Sequence, residues 1–485
     1  MKDISKNLCS VECSIRDVME SLNKGVNGII FLHDNNGVVK GLMTDGDVRR
    51  AILKGAPLED KVRKYMNTDF IYALEGLPRN EYLKKIQGKI LQLPILNEQG
   101  HLVDILFFKE NAFLPVSSPS LCGNELKYIT DCVLSSWISS QGAYVKKFEK
   151  KFSEYHYDYP ALSTSSGTAA LHLALVASGI GPGDEVIVPD STFAASANVV
   201  IHAGARPVFV DISEDHWTLN PELLQKAITP RTKAIMPVHL YGQPACMDEI
   251  MSIAEEHNLL VIEDCAESLG ARYKGRLTGT IGHIGCFSFF SNKVITTGEG
   301  GMVITKRKDI LQRVSQLRDH GMSLTERYRH EYVGFNYRLT GMQAAVGLAQ
   351  MEQIDSFLSH RQKIVMEYES GLKDIPGIIL PPRQEETDSI FWLYTILIDE
   401  IKFGMTRDTL MSHLKNARID SRPFFPPLHG QPAYKTLAVE GDFPVAIKLH
   451  EVGLSLPTAN NLSLERIKSV CSYIKKLQQG RSVDE

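Results

Sequence analysis

The runs Glu185-Val186-Ile187-Val188, Val208-Phe209-Val210, Ala234-Ile235-Met236-Pro237-Val238, Leu259-Leu260-Val261-Ile262 and Cys286-Phe287-Ser288-Phe289 fall between Tyr159 and about Thr305, with helically patterned stretches between them. Short apolar runs rich in β-branched residues suit strands buried on both faces, and their alternation with helices predicts an α/β layer on a largely parallel sheet. The pattern changes on either side. Beyond about residue 350 come helices and a few strands, which predicts a smaller C-terminal α+β lobe. Ahead of the sheet, Leu114-Pro115-Val116-Ser117-Ser118-Pro119-Ser120 is punctuated by proline and serine and reads as a linker. The expected organisation is a module over 1–112, a linker over 113–120, a large domain over 121–350 and a small domain over 351–485.

Composition agrees with several folded units. The chain has 485 residues, 43% hydrophobic and 23% charged, enough apolar side chains for more than one core. Its 53 basic and 57 acidic residues leave a net charge of −4, so no global positive field draws it to nucleic acid or an anionic membrane. No apolar run reaches the roughly 18 residues that span a bilayer, and the polar start Met1-Lys2-Asp3-Ile4-Ser5-Lys6 lacks a signal-peptide core. A cytoplasmic location is expected. Cys9 and Cys13 are the one close pair among eight cysteines, without a second pair or histidine cluster to complete a zinc site; no metal is expected.

Residues 1 to about 110 look like one small unit written twice. Gly28-Ile29-Ile30-Phe31-Leu32, the turn Asn35-Asn36-Gly37, a second strand and Thr44-Asp45-Gly46-Asp47 opening a helix are echoed by Leu93-Pro94-Ile95-Leu96, the turn Asn97-Glu98-Gln99-Gly100 and Leu102-Val103-Asp104-Ile105-Leu106. The arrangement resembles a paired CBS module. That resemblance implies an adenine nucleotide held by Thr44 and Asp47, whereas the same two residues also fit an ordinary helix-capping pair. The second copy departs from the pattern: Asp104 falls inside a strand and Phe107-Phe108-Lys109-Glu110 replaces the expected Thr and Asp.

Ligands of open α/β sheets collect beyond the carboxyl ends of the strands, so polar residues just after apolar runs are the candidates. Ser165-Ser166-Gly167-Thr168 leads into an apolar helix whose free N–H groups suit a phosphate, although Ser-Gly-Thr also starts many helices as a plain cap. Ile262-Glu263-Asp264-Cys265-Ala266-Glu267 ends a strand in acids; Asp264 can hold a pyridine nitrogen protonated, and Glu267 lies one helical turn on. Ser288-Phe289-Phe290-Ser291-Asn292-Lys293 precedes a glycine-rich turn, and a lysine whose surroundings keep part of it neutral can form a Schiff base. Asn336 and Arg338 interrupt an otherwise aromatic and apolar stretch before the helix around Met342–Leu348. A phosphate cradle, a strand-end acid and a lysine follow one another in the chain order used by enzymes of pyridoxal 5′-phosphate (PLP).

With Trp137-Ile138-Ser139-Ser140-Gln141-Gly142, Gly183-Asp184-Glu185-Val186-Ile187-Val188-Pro189 and Val238-His239-Leu240-Tyr241-Gly242, these segments resemble the DegT family of nucleotide-sugar aminotransferases over about Pro119 to Leu477. The resemblance implies the fold-type-I architecture and a PLP cofactor. It implies that Lys293 carries the cofactor and Asp264 pairs with its ring nitrogen, that Gly167, Thr168 and Ser288 hold its phosphate, and that Phe193 stacks on its ring. Glu267 would face cofactor or substrate. Asn336 would reach the cofactor of a neighbouring subunit, making a homodimer or higher homo-oligomer part of the site, and Arg338 and His429 would border the sugar pocket. Within the family the likeness runs to the GDP-perosamine synthases, through Glu263-Asp264-Cys265-Ala266-Glu267-Ser268 and Arg422-Pro423-Phe424-Phe425. It implies transfer of an amino group from glutamate to C-4 of GDP-4-keto-6-deoxymannose for surface polysaccharide synthesis, with a UDP-linked keto sugar as the alternative. Ser291 stands where a glycine is common before the Asn-Lys pair. Two rivals are a sugar dehydratase of the same fold, which carries histidine in place of Lys293, and a non-catalytic nucleotide sensor.

Overall fold

The apolar runs between residues 159 and 305 form a seven-stranded sheet in the computed structural model, which describes residues 4–24, 28–77, 92–107, 113–437 and 441–480. In chain order the strands are β1 (Ala161–Thr164), β2 (Glu185–Pro189), β3 (Arg206–Val210), β4 (Thr232–Ile235), β5 (Leu260–Asp264), β6 (Ile284–Ser288) and β7 (Gly301–Ile304). Their order across the sheet is β1-β7-β6-β5-β4-β2-β3, and only β7 runs antiparallel to its neighbours. The largely parallel sheet expected from the alternating runs is present, with two further short strands, β1 and β7. β1 carries Ser163 and Thr164 and makes no apolar run of its own, whereas β7 has one in Met302-Val303-Ile304.

Helix α1 (Gly167–Ala177) follows β1 directly and is buried along most of its length; nearly all of its residues are apolar, as a helix lying inside a large core must be. The strand direction sets the site. β5 ends at Asp264, β6 ends at Ser288 and β1 leads into the start of α1, so three parallel strands deliver their last residues to one edge of the sheet.

The C-terminal part has its own core. Strands Ile378–Ile379, Tyr394–Ile398, Gly453–Leu456 and Arg422–Pro423 make an antiparallel sheet in that order, packed by helices Ile354–Leu372 and Leu464–Gln478. Tyr368 stacks on Tyr394 at 4.8 Å between ring centroids.

The chain divides into two compact units, Met1–Ala112 and Phe113–Glu485. The stretch 113–120, expected as a linker, is instead built into the second unit. Leu114 and Val116 are buried, Leu114 N–H donates to the Arg418 carbonyl at 2.7 Å, and Asp420 N–H donates to the Leu114 carbonyl at 2.8 Å. Leu114 and Val116, on either side of Pro115, give an extended segment one buried face, which outweighs the turn-forming composition around them.

The first unit contains the expected repeat. Leu8–Ser10 pairs parallel with Ile29–His33, which pairs antiparallel with Val39–Thr44; Ala73–Leu74, Gln92–Leu96 and Leu102–Phe107 reproduce that order and sense. The two hairpin turns match in detail. Asp34 Oδ1 accepts from Asn36 and Val38 N–H, Asn97 Oδ1 accepts from Gln99 and His101 N–H, and Gly37 and Gly100 both have φ near +81°, the left-handed region that glycine enters without steric cost. Asp104 lies within its strand, while residues 108–110 fall outside the described residues. Among the described residues no helix is long and apolar enough to cross a membrane.

Candidate active site

Lys293 sits just past β6, and its side chain is 13% exposed. Its ammonium lies 3.5 Å from Glu267 Oε1 and 3.6 Å from the centroid of the Trp392 ring. Burial disfavours the charged amine and lowers its pKa, against the pull of Glu267 and Asp264 in the other direction. The outcome is an amine closer to its neutral, nucleophilic form than an ordinary lysine.

Asp264, at the end of β5, is buried. Its Oδ2 accepts from Ser196 Oγ at 2.8 Å and its Oδ1 from Ala266 N–H at 3.1 Å. Burial raises its pKa, which the two hydrogen bonds and Lys293 partly offset. Glu267 behaves alike: burial raises it, Lys293 opposes, and Tyr241 N–H donates to its Oε2 at 2.9 Å.

The start of α1 supplies the third part. Ser166 Oγ accepts from Ala169 N–H at 3.0 Å, so the plain capping role is real and belongs to Ser166. Gly167 does something else. A Cβ built there would lie 2.6 Å from Ser288 Cβ, so glycine is what allows the helix start and the end of β6 to meet. Gly167, Thr168 and Ser288 share a cavity of about 300 Å³ with Asp264, Glu267 and Lys293, and the exposed Phe193 lies on its rim.

The other expected residues lie elsewhere. Asn336 is exposed and absent from this wall. Arg338 pairs with Asp319 beside a separate cavity lined by Ser140, Gln141 and Arg318. His429 does not border the Lys293 cavity of its own chain. Its Nδ1 meets Asp190 Oδ2 at 2.6 Å, its N–H donates to Asp190 Oδ1, and its ring stacks on Phe443, so the side chain is committed to holding its loop. In the first unit Thr44 and Asp47 close a capping box on each other.

The sequence gives no sign of Ser196 or Trp392, and marks Arg422 and Phe425 only as part of a family motif, without a place at the cavity. Ser196 donates to Asp264, and the other three line the cavity. Trp392 is about a hundred positions from Lys293, and no local pattern in one sequence joins them. His239, Glu263 and Cys265 cluster closely enough to suggest a metal. Hydrogen bonds occupy two of the three: Glu263 accepts from Gly279, Ile281 and Gly282 N–H and from His239 Nε2, while His239 Nδ1 accepts from Ala245 N–H. This hub fixes the strand end that presents Asp264.

Residues 119–475 match the sequence profile of the DegT/DnrJ/EryC1/StrS aminotransferase family. The chain belongs to this family. Among DegT-family relatives, the GDP-perosamine synthase of Caulobacter vibrioides is 46% identical over 365 residues, 75% of this chain and 98% of that protein. The GDP-perosamine synthase of Escherichia coli O157:H7 is 42% identical over 369 residues, 76% of this chain and all of that protein. Spr1654 of Streptococcus pneumoniae, solved in a PLP form, is 30% identical with a TM-score of 0.71, covering 76% of this chain and 99% of that one. The protein is therefore a PLP-dependent sugar aminotransferase.

The cavity fits the cofactor. A helix start opposite Ser288, held open by the missing Cβ of Gly167, suits a phosphate dianion; a buried carboxylate with raised pKa suits a cationic ring nitrogen; and an amine whose pKa burial lowers suits an aldehyde.

Proposed function

We propose that this aminotransferase moves an amino group from glutamate to C-4 of a nucleotide-linked 4-keto-6-deoxy sugar, with GDP-4-keto-6-deoxymannose as the favoured acceptor and GDP-perosamine as product. The observation that carries the reading is the meeting of Lys293, Asp264 and the Gly167–Ser288 cradle on one cavity wall. The choice of GDP over UDP rests on the names of the relatives at 41–46% identity, which are GDP-perosamine synthases.

Bound PLP supplies an aldehyde that captures amines and a ring that withdraws electrons. The residues of the chain do the rest. Lys293 Nζ would hold the cofactor and, as the amine at the cavity wall, would carry the proton to and from the reacting carbon. Asp264 holds the ring nitrogen charged, and Ser196 and Ala266 fix the carboxylate that does so. Gly167, Thr168 and Ser288 receive the phosphate, and Phe193 covers the ring. Glu267, 3.5 Å from the amine, stands where it can steer the lysine between its charged and neutral forms.

We propose a homodimer, in which Asn336 and Arg338 serve the partner's cavity. Neither lines the Lys293 cavity of its own chain, and Trp137, Ile138, Tyr328 and Val333 leave apolar surface in need of a cover. For the first unit we propose a paired CBS module, on the duplicated strand order and matched turns; an adenine nucleotide at Thr44 and Asp47 is the ligand to test.

The decisive assay offers GDP-, UDP- and dTDP-linked 4-keto sugars with glutamate as donor. Amination of the GDP sugar at the highest kcat/KM is expected, and Lys293→Ala is expected to lose amination of every acceptor. Preference for a UDP sugar would move the acceptor assignment, and wild-type turnover in Lys293→Ala would end the mechanism.

A further inference from the structure

Arg361 lies on the helix Ile354–Leu372 and is 1% exposed. Among the described residues no carboxylate pairs with it. Its guanidinium donates instead to the Phe391 carbonyl at 3.1 Å, the Trp392 carbonyl at 3.0 Å and Asn460 Oδ1 at 2.8 Å. Taking a charge out of water without a counter-charge is costly, and a helix packed in an apolar core gains more from leucine or methionine. Burial draws its pKa down only to about 10, so the group stays charged at neutral pH. The three acceptors are what the charge is there to hold.

Two of those three contacts lead to the lysine. Trp392 Nε1 donates to the Asn292 carbonyl at 2.8 Å, and Asn460 Nδ2 donates to the Val294 carbonyl at 2.8 Å. The carbonyls of the two residues that flank Lys293 are thus each gripped by a residue that Arg361 holds. The third acceptor belongs to Phe391, which has φ of 45°, a left-handed conformation that a bulky residue keeps only under constraint. Arg361 fastens that peptide, and the next residue presents its indole face to the Lys293 ammonium.

We propose that Arg361 is a positioning residue for Lys293, acting through Trp392 and Asn460 to fix both the peptide that carries the amine and the aromatic face beneath it. A planar fork with five N–H donors serves three acceptors in different directions, whereas the lysine ammonium is a compact point donor. The aromatic face favours the cationic form of the amine against the burial that disfavours it, so a loosened brace lowers the pKa of the lysine nitrogen.

The test compares Arg361→Met, Arg361→Lys and Asn460→Ala in the full-length holoenzyme. Asn460→Ala keeps the buried charge and breaks the link to Val294, so it decides the matter if loss of Arg361 prevents folding. In folded variants kcat should fall about tenfold, as expected for a small misplacement of a reacting group, with KM for the keto sugar within about twofold. In the Arg361 variants, which release Trp392, the pH midpoint of the bound cofactor's visible absorption should move down by about half a unit, a change that general destabilisation does not produce. Wild-type kcat in Asn460→Ala with only a lower melting temperature, or an unmoved midpoint in a folded Arg361 variant, would show packing alone and overturn the proposal. Full activity in Arg361→Lys would overturn the role of the fork.

Discussion

Two helices of this chain begin with the same local grammar and end up with different work. In the first unit, Thr44 Oγ1 donates to Asp47 Oδ2 at 2.7 Å, Thr44 N–H donates to the same oxygen at 2.9 Å, and Asp47 N–H returns a bond to Thr44 Oγ1. In the second unit, Ser166 caps α1 through a single bond to Ala169 N–H, and the next residue is a glycine that admits the end of β6. One helix start turns its polar groups on each other. The other meets its capping need with one hydroxyl and leaves Gly167 and Thr168 facing a cavity already holding a raised-pKa carboxylate and a lowered-pKa amine. A capping motif becomes a ligand site when neighbouring strand ends bring groups it cannot satisfy, and residue types at the helix start alone do not decide this.

The sharpest way to test that contrast is Asp264→Asn. The variant keeps an oxygen to accept from Ser196 or Ala266 but cannot hold a ring nitrogen charged, so kcat should fall about a hundredfold or more, the scale seen when one preorganised electrostatic group is removed. Its effect on the cofactor-free protein should have the opposite sign. Burial raises the folded-state pKa of Asp264, so the native chain binds this proton more tightly than the unfolded chain. The resulting stability is present below the ordinary carboxylate pKa and is lost as pH rises through the raised value. At neutral pH the buried charge therefore burdens the apoprotein. Apo Asp264→Asn should melt above apo wild type at pH 7, with the advantage shrinking towards pH 4. A variant that melts lower at pH 7 while losing activity would mean that Asp264 is a structural carboxylate.

Gly167→Ala probes the cradle itself. Its Cβ would fall 2.6 Å from Ser288 Cβ and 3.1 Å from Ser288 Oγ, so the helix start and β6 must separate. Overpacking of this kind costs about 1–3 kcal/mol, and because the cradle is the part that yields, the loss should appear as weaker cofactor retention, tenfold or more by equilibrium dialysis. Lys293 is untouched, so at saturating PLP much of the turnover should return. Cofactor affinity equal to wild type would place the phosphate elsewhere.

What could be read without the structure follows the range of the physics. Strand runs, the helix start and the glycine-rich turn after Lys293 are local, and each left a sequence pattern that pointed to its place. The duplicated hairpins in the first unit were legible because both turns need a glycine at positive φ at the same offset, as Gly37 and Gly100 show. Ser196, Trp392 and Arg361 were not legible. A serine inside an apolar helix, a tryptophan in an aromatic run and an arginine in a charged helix have no local feature that names their partners, which lie 68, 100 and 99 positions away in Asp264, Asn292 and Asn460. The contact of His429 with Asp190 was hidden for the same reason, since nothing near it signals the buried carboxylate that meets its ring. The segment 113–120 was misread because proline and serine dominate its composition while two alternating side chains, Leu114 and Val116, decide its burial.

The smallest effect belongs to Thr44→Ala, which tests whether the first helix start is as self-contained as its hydrogen bonds suggest. Removing the hydroxyl leaves Asp47 N–H without its acceptor, a loss of about 1 kcal/mol for an N-cap. In the full-length protein this should appear as faster hydrogen exchange at the amides of Asp45–Leu53, with kcat/KM for aminotransfer within about twofold of wild type. Adding ATP, ADP or AMP sharpens the comparison. If the pair only caps its helix, none of the three should slow exchange there in wild type. Protection that appears with one nucleotide and vanishes in Thr44→Ala would put this helix start in the same class as that of α1, with groups held in reserve for an anion despite the bonds they make to each other.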